Sequence, residues 1–326
     1  MKAEKYRFVI LALLVPLAAF SLLTAWPLIQ AIAYSFTDWE AYNPEVNFTG
    51  LENYQRMMND QVFWRALQNN VYLVALAPLI TVVIALFLAA MLNTGGASKV
   101  GGVRPAFGAE FYRVVYFFPQ VLSIAVLAVM FQNIFNPRNG LLNAVLGSFG
   151  IRDFPGWLSD SKWALTSVML VLVWAGVGFY VVILNAAMAG VDPGLYEAAL
   201  LDGASPSRQF LYITLPSIRD TVIVCWIYAF IIALDGFALV QILTIGPGGP
   251  DYSTMVLGYY VYSLAFSESK YGYASAIGVV LAIITIAFSV FTSLITRERD
   301  KEARARKKAA KAAKRALASS GKEVAA

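Results

Sequence analysis

Residues 197–216 read EAALLDGASPSRQFLYITLP. They lie between two of the most apolar segments of the chain, yet they hold two acids, an arginine, two serines, a glycine and prolines. Just upstream, in VDPGLY, Asp192 is a good helix N-cap and Pro193 suits the first helical position, where no N–H is needed. The pattern predicts a short helix through Glu197, Ala198 and Ala199 that stops at Gly203. Ser205 then caps a second helix opened by Pro206, and Leu215-Pro216 turns the chain back toward the next apolar run. Ala199 and Gly203, four residues apart, leave one helical face open to close approach. Residues 192–216 are therefore predicted to form a compact helical elbow shaped to contact another body, and the segments it joins decide the fold.

Those segments are built for lipid. Of 326 residues, 59% are hydrophobic and 14% are charged, where a soluble domain carries about 25% charged residues. Six stretches are long and apolar enough to cross about 30 Å of hydrocarbon as helices: 8–33, 71–92, 114–131, 165–188, 222–245 and 274–295. Each must be helical, because backbone polar groups in lipid need internal partners. The expected fold class is an all-α membrane protein with six transmembrane helices. The first span starts close to the N-terminus and runs too long, with no small-residue cleavage site, for a removable signal peptide; it is read as a retained span.

Chemistry on the chain itself is narrowly bounded. Histidine is absent and Cys225 is the single cysteine, which removes the commonest general base, the commonest metal ligand and any disulfide framework. No G-x-x-x-x-G-K-S/T phosphate loop occurs; the glycine-rich GGASKVGG within 93–113 reads as a flexible linker. No metal, no cofactor and no catalytic residue is expected in this chain.

Lysine and arginine set the orientation. With six spans, the side holding both termini carries 19 of the basic residues, eleven of them from Arg297 onward, and the other side carries six. The positive-inside rule makes both termini, and the elbow, cytoplasmic. The chain divides into a transmembrane domain at 1–296, which includes the elbow at 192–216, and a basic cytoplasmic tail at 297–326. The tail fixes topology and is attractive to anionic headgroups; it lacks the interleaved aromatics of a nucleic-acid binder, so no nucleic-acid partner is expected. On the outer side, 34–70 has five acids against two arginines and room for a short helix over 51–58. A second outer segment, 132–163, carries Trp157 and Trp163 as interfacial anchors. The run GPGGP at 246–250 is expected to end the fifth span.

The spacing E-A-A-x3-G-x9-I-x-L-P, filled by Glu197, Ala198, Ala199, Gly203, Ile213, Leu215 and Pro216, resembles the cytoplasmic loop of permease subunits of binding-protein-dependent ABC importers. SFTDW and FTGLENYQRM in the first outer segment, FYRVVYFFPQVLS at the third span and YGYASAIGVVL at the sixth resemble the sugar-type branch, which takes up maltose-like oligosaccharides, other sugars or glycerol phosphate. One departure is the longer TIGPGGP at 244–250, where such permeases often have T-G-G-G-P. The resemblance implies a type I ABC importer permease fold in the cytoplasmic membrane. It implies two copies of a separate ABC ATPase that bind ATP and Mg, a second and related permease, and an extracytoplasmic solute-binding protein. Glu197 would supply charge at the docking surface, Ala198 and Ala199 close approach, Gly203 the turn, and Pro216 a fixed return to the membrane.

The solute path is less marked. Asp235, in IIALDGFALVQ, is the one acid deep in a predicted span, where charge is costly and faces a cavity or a polar partner; it either lines the path or is tied to backbone or subunit donors. Gly236 permits close approach, and Gln241 lies two turns on. Trp174, Gly176, Phe179 and Tyr180 in the fourth span offer aromatic faces suited to pyranose rings, although aromatics in an apolar helix also serve packing. The function expected is the pore subunit of an ATP-driven sugar importer. The alternatives are a permease for amino acids, peptides or glycerol phosphate, and an ATPase-independent secondary transporter.

Overall fold

A computed structural model describes residues 12–42, 45–93, 108–151 and 153–291. The basic tail, the centre of the glycine-rich linker and the first residues of the first predicted span lie outside the described residues. The chain divides into two units, residues 1–279 and 280–326. The first holds the helical bundle; the described part of the second is the last stretch of the final helix.

The described residues are helical apart from loops and one isolated bridge, Thr37 to Phe48. In chain order the helices are α1 (Ala12–Tyr34), α2 (Glu52–Met58), α3 (Gln61–Leu92), the bent pair α4 (Ala109–Val121) and α5 (Ile124–Ile134), and α6 (Leu141–Ser148). They continue with α7 (Ala164–Ala189), the elbow helix α8 (Pro193–Leu201), α9 (Pro206–Leu234), α10 (Phe237–Leu243), α11 (Leu257–Tyr262) and α12 (Tyr271–Phe291). Five of these are single helices long and apolar enough to span a membrane, and the pair α4–α5 brings the number to six.

α7 is the axis of the first unit. Its sequence is apolar on every face, the pattern of a helix surrounded by others, and it packs against α3, α4, α9 and α10. Leu73 of α3 and Val168, Val171, Val181 and Leu184 of α7 are fully buried. In lipid such burial does not remove water, so close van der Waals fit and small residues must hold the helices together. Gly178 shows how close the fit is: a Cβ there would fall 2.5 Å from the Tyr116 carbonyl carbon and 2.9 Å from Phe117 Cα of α4. By contrast, α1 buries none of its apolar window against the rest of the chain.

Four predicted boundaries are corrected. The second span begins ten residues earlier than the apolar run, at Gln61, because the Asp60 carboxylate caps it by accepting from Val62 N (2.8 Å) and Phe63 N (3.2 Å). The third span is not one straight helix: the segments on either side of Leu122 are bent by 98°. Pro119 lies in the last turn of α4, and Ser123 restarts the chain as N-cap of α5. The fifth span is the most changed. Rather than running over 222–245, α9 starts in the elbow at Pro206 and ends at Leu234, and Asp235-Gly236 separates it from α10. GPGGP therefore follows a span that has already ended; Gly246, Gly248 and Gly249 instead take positive φ in the loop beyond. The sixth helix starts at Tyr271 rather than at 274.

Candidate functional site: a cleft between spans and an exposed elbow

Two asparagines tie the end of the bundle far from the elbow. Asn69 Nδ2 donates to the carbonyls of Tyr252 (3.1 Å) and Met255 (2.8 Å). Asn70 Nδ2 donates to the Leu234 carbonyl (3.2 Å), and its Oδ1 accepts from Leu257 N (2.7 Å). The carbonyl freed where α9 stops is thus satisfied by α3, which is how the break at Asp235-Gly236 persists inside an apolar bundle. Nearby, Asp60 Oδ2 accepts from Tyr260 Oη and Tyr273 Oη, both at 2.5 Å, and the Arg56 guanidinium lies 4.4 Å from the Tyr273 ring centroid. Burial raises the Asp60 carboxyl, but the hydrogen bonds from Tyr260, Tyr273, Phe63 N and Val62 N outweigh it, so its pKa lies below the ordinary carboxylate value. At the elbow end, the Asn185 amide with its oxygen toward α4 accepts from Arg113 Nη2 (2.8 Å) and Nε (3.0 Å) and donates to Asn93 Oδ1 (3.3 Å). Polar knots thus tie α3 to α9 at one level and α3, α4 and α7 at the other, with an apolar middle between them.

A cleft of about 190 Å³ opens in that middle. Its walls come from α3 (Ala77, Pro78, Thr81), the α4–α5 bend (Pro119, Gln120, Leu122, Ile124, Leu127), α7 (Leu172, Ala175, Gly176, Tyr180) and the last turns of α9, with Leu239 of α10. Bending at Leu122 and ending α9 at Leu234 are what create the space. Most of the lining is apolar, and three of its residues carry polar groups: Thr81, Gln120 and Tyr180. Tyr180 is 2% exposed, and its Oη has no hydrogen-bond partner among the described residues. Its ring packs edge-on against Phe179, centroids 5.3 Å apart, and both rings meet Tyr228 of α9.

Of the residues singled out in the sequence, Gly176 and Tyr180 line this cleft. Phe179 sits behind it in the aromatic cluster. Trp174 is on another face of α7, 41% exposed and edge-on to Phe131 of α5. Asp235 is not within a helix: it is the C-terminal cap of α9, exposed, with its N–H donated to the Ile231 carbonyl. Gly236 is buried at the break, and Gln241 is half-buried on α10. Thr81 and Gln120 were not singled out, although Gln120 is a polar residue inside an apolar span and so stood out by cost alone.

The elbow matches its local chemistry closely. Asp192 Oδ1 accepts from Gly194 N at 2.9 Å, Pro193 opens α8, and the helix ends with Gly203 at φ +72°. Ala204 N reaches back to the Ala199 carbonyl (2.9 Å), the bond that closes a helix over a left-handed residue. Ser205 does precede a helix, but its side chain makes no capping bond; its backbone carbonyl instead accepts from Gln209 N. The larger correction concerns Leu215-Pro216, which does not turn the chain. One helix runs from Pro206 through Pro216 to Leu234. A proline ring clashes with the carbonyl four residues back; here Phe210–Thr214 form a wide π turn, with Leu215 N reaching the Phe210 carbonyl, and the helix absorbs Pro216 without breaking. Glu197 and Ala198 are exposed, Ala199, Ile213 and Leu215 are half-buried, and Gly203 and Pro216 are exposed. Around them stand uncovered apolar side chains: Leu195 (48%), Leu200 (49%), Leu201 (91%), Leu211 (54%) and Tyr212 (79%). A rigid knuckle with this much exposed apolar surface has the composition of a contact face.

Residues 100–301 match the family described as binding-protein-dependent transport system inner membrane component. The chain belongs to this family. The permease is 41% identical over 296 residues to the diacetylchitobiose uptake system permease protein of Streptomyces coelicolor, covering 90% of this chain and 83% of that one. It is 30% identical over 285 residues to the lactose transport system permease protein of Rhizobium radiobacter, covering 87% and 92%. Its fold is shared with a chain of a bacterial alginate ABC transporter crystallised with an alginate pentasaccharide-bound periplasmic protein, at a TM-score of 0.75 and 23% identity over 91% of this chain and 96% of that one. The permease is a multi-pass membrane protein of the type I importer fold.

Proposed function

We propose that this permease forms one half of the pore of an ATP-driven importer of sugars or oligosaccharides, with both termini and the elbow in the cytoplasm. The observation that carries the reading is the elbow: an apolar-faced knuckle continuous with a membrane-spanning helix, on a chain whose sequence has no G-x-x-x-x-G-K-S/T phosphate loop. Glu197, Ala198 and Ala199, with the leucines around them, seat in a separate ABC ATPase, one copy for each permease. ATP and Mg bind there, and closure of the two ATPases moves the elbow and with it α9. Gly203 sets the stop of α8 that gives the seat its shape; Ile213, Leu215 and Pro216 belong to the stem rather than to a turn.

The cleft supports a carbohydrate as cargo. Tyr180 of the lining, backed by the rings of Phe179 and Tyr228, offers an aromatic surface, Gln120 and Thr81 offer the hydrogen-bonding groups that a sugar needs, and the named relatives are permeases of diacetylchitobiose and lactose transport systems. About 190 Å³ is less than the roughly 300–1,000 Å³ of a site that encloses a drug-sized ligand, so a second, related permease supplies the facing wall. Asp235, Gly236 and Gln241 at the α9–α10 break and Trp174 on another face of α7 lie outside the lining of the cleft. An extracytoplasmic solute-binding protein delivers the cargo to the end tied by Asn69 and Asn70.

The test is to purify the permease with its partners in lipid discs and follow ATP hydrolysis with a panel of mono- and oligosaccharides, glycerol phosphate, amino acids and peptides presented on the binding protein. Stimulation by a carbohydrate is expected. Stimulation by an amino acid or peptide alone would replace the cargo class, and uptake by the permease without any ATPase would overturn the proposal.

A further inference from the structure

The elbow helix is joined to α7 through residues 190–192 and to α9 through residues 202–205, and one of its own side chains is buried. Tyr196 is the only buried residue of α8, and its neighbours Leu195 and Glu197 are exposed. Its hydroxyl lies 2.8 Å from Thr214 Oγ1, a buried pair eighteen residues apart. Thr214 is itself buried and closes the π turn of α9, and its Oγ1 donates to the Gln209 carbonyl at 3.5 Å. Either hydroxyl of the pair can donate to the other, and in both cases the bond joins α8 to the π turn of α9.

The remaining link between α8 and α9 is the covalent loop 202–205, which passes through Gly203. Gln209 Nε2 holds that loop by donating to the Ala204 carbonyl at 2.9 Å, but it does not touch α8. Apart from the joint to α7, a load on the exposed face of α8 therefore has two direct routes into α9. One is a loop with a glycine hinge, and the other is a direct bond that ends on a wide turn. π turns are rare and concentrate at functional sites, and this one directly precedes Pro216, where the helix lacks one backbone hydrogen bond and is easiest to bend.

We propose that the Tyr196–Thr214 hydroxyl pair is the strut through which displacement of the elbow helix reaches the span α9. Tyr196 and Thr214 are positioning residues: neither touches cargo or nucleotide. The inference rests on the elbow being the seat of an ATPase, but it makes a different prediction from the seat itself. Losing the seat releases the ATPase; losing the strut leaves the ATPase bound to a helix that no longer drives the span.

The experiment uses the assembled permease, its partner ATPase and binding protein, reconstituted in vesicles, with two readouts: ATPase retained per permease, and initial uptake per complex. Tyr196→Phe keeps the ring and removes the hydroxyl; Thr214→Val keeps the shape and removes the other hydroxyl; Thr214→Ser keeps the hydroxyl. Tyr196→Phe and Thr214→Val are expected to retain the ATPase at the wild-type ratio while uptake falls about tenfold, the scale of one buried hydrogen bond. Thr214→Ser is expected to restore uptake, and the double variant Tyr196→Phe/Thr214→Val to lose no more than either single change, since both remove one bond. Should Tyr196→Phe fail to accumulate, the Thr214→Val and Thr214→Ser pair decides the matter alone. Wild-type uptake in Thr214→Val, equal loss in Thr214→Ser, or release of the ATPase by either hydroxyl deletion would overturn the strut. Failure of the wild-type permease to bind any ATPase would instead overturn the function on which it rests.

Discussion

Two glycines one turn-fraction apart on α7 should respond oppositely to the same methyl group. At Gly178 an added Cβ would stand 2.5 Å from the Tyr116 carbonyl carbon and 2.9 Å from Phe117 Cα. Carbon atoms in contact prefer about 3.5–4.0 Å, so α4 and α7 must separate by about 1 Å along that line. Both obstacles are backbone, and no side-chain rotation relieves them. Overpacking of this kind costs about 1–3 kcal/mol, and in lipid no hydrophobic gain offsets a lost helix contact. At Gly176 the same Cβ meets Tyr180 Cε2 at 3.5 Å and Thr81 Cγ2 at 3.7 Å, which is ordinary contact. Gly178→Ala is therefore expected to unfold earlier by about 2 kcal/mol when the purified permease is titrated from mild detergent into dodecyl sulfate. Gly176→Ala should unfold with the wild type, yet slow uptake, because its methyl projects into the cleft. Equal stability of Gly178→Ala and wild type, or an equal loss in Gly176→Ala, would refute the close crossing of α4 and α7.

Gly203 sits at φ +72° with nothing within 4 Å of a Cβ, so its constraint is backbone alone; Gly203→Val should strain the end of α8 by about 1–2 kcal/mol and abolish uptake while the permease stays in the membrane, whereas Gly203→Asn, tolerant of the left-handed region, should transport. Asn70→Ala strands the Leu234 carbonyl and Leu257 N–H; at about 1–3 kcal/mol for each unsatisfied buried group, it should lower the unfolding midpoint and accelerate amide exchange at Leu257. Asp60 has a lowered carboxyl pKa, so its contribution to stability is complete above the ordinary carboxylate value and is lost as pH falls through the folded one. The unfolding midpoint of wild type should accordingly drop on acidification by more than that of Asp60→Asn, which keeps the helix cap but cannot titrate; parallel curves would remove Asp60 from the account.

What the sequence revealed depended on whether the physics was local. The elbow helix was readable because Asp192, Pro193 and Gly203 act on their immediate neighbours, and the number of spans, though not their ends, followed from apolar length. Where an element was fixed by a distant partner, the sequence was silent. Hydropathy stays high from 222 to 245 and hides the Asp235-Gly236 turn signal at which α9 ends; the break is held by Asn70, 164 residues away. Gln61 to Asn70 are too polar to count as apolar span, yet they continue α3 because Asp60 caps it and Asn69 and Asn70 spend their amides on the far loop. Pro216 carried a break signal that the π turn at 210–214 cancels, and Pro119 carried one that the chain obeys. No single-residue rule separates those two prolines.

The solute path was half legible for the same reason. Tyr180 and Gly176 share a cleft because they stand four residues apart on one face of α7. Gln120 joins them only through the bend between α4 and α5, and Asp235 leaves them because it caps a helix end rather than lying within one.

The central claim is that residues 192–201 bear directly on a nucleotide-hydrolysing partner, and one cross-linking measurement tests it most directly. A photoactivatable residue placed at Ala198, exposed on the outer side of α8, in the purified complex that is importing solute, should join the permease to its ATPase. It should do so in a yield that Glu197→Lys sharply reduces. A complex that imports solute at the full rate and gives only water-quenched or lipid adducts from that position would contradict the account.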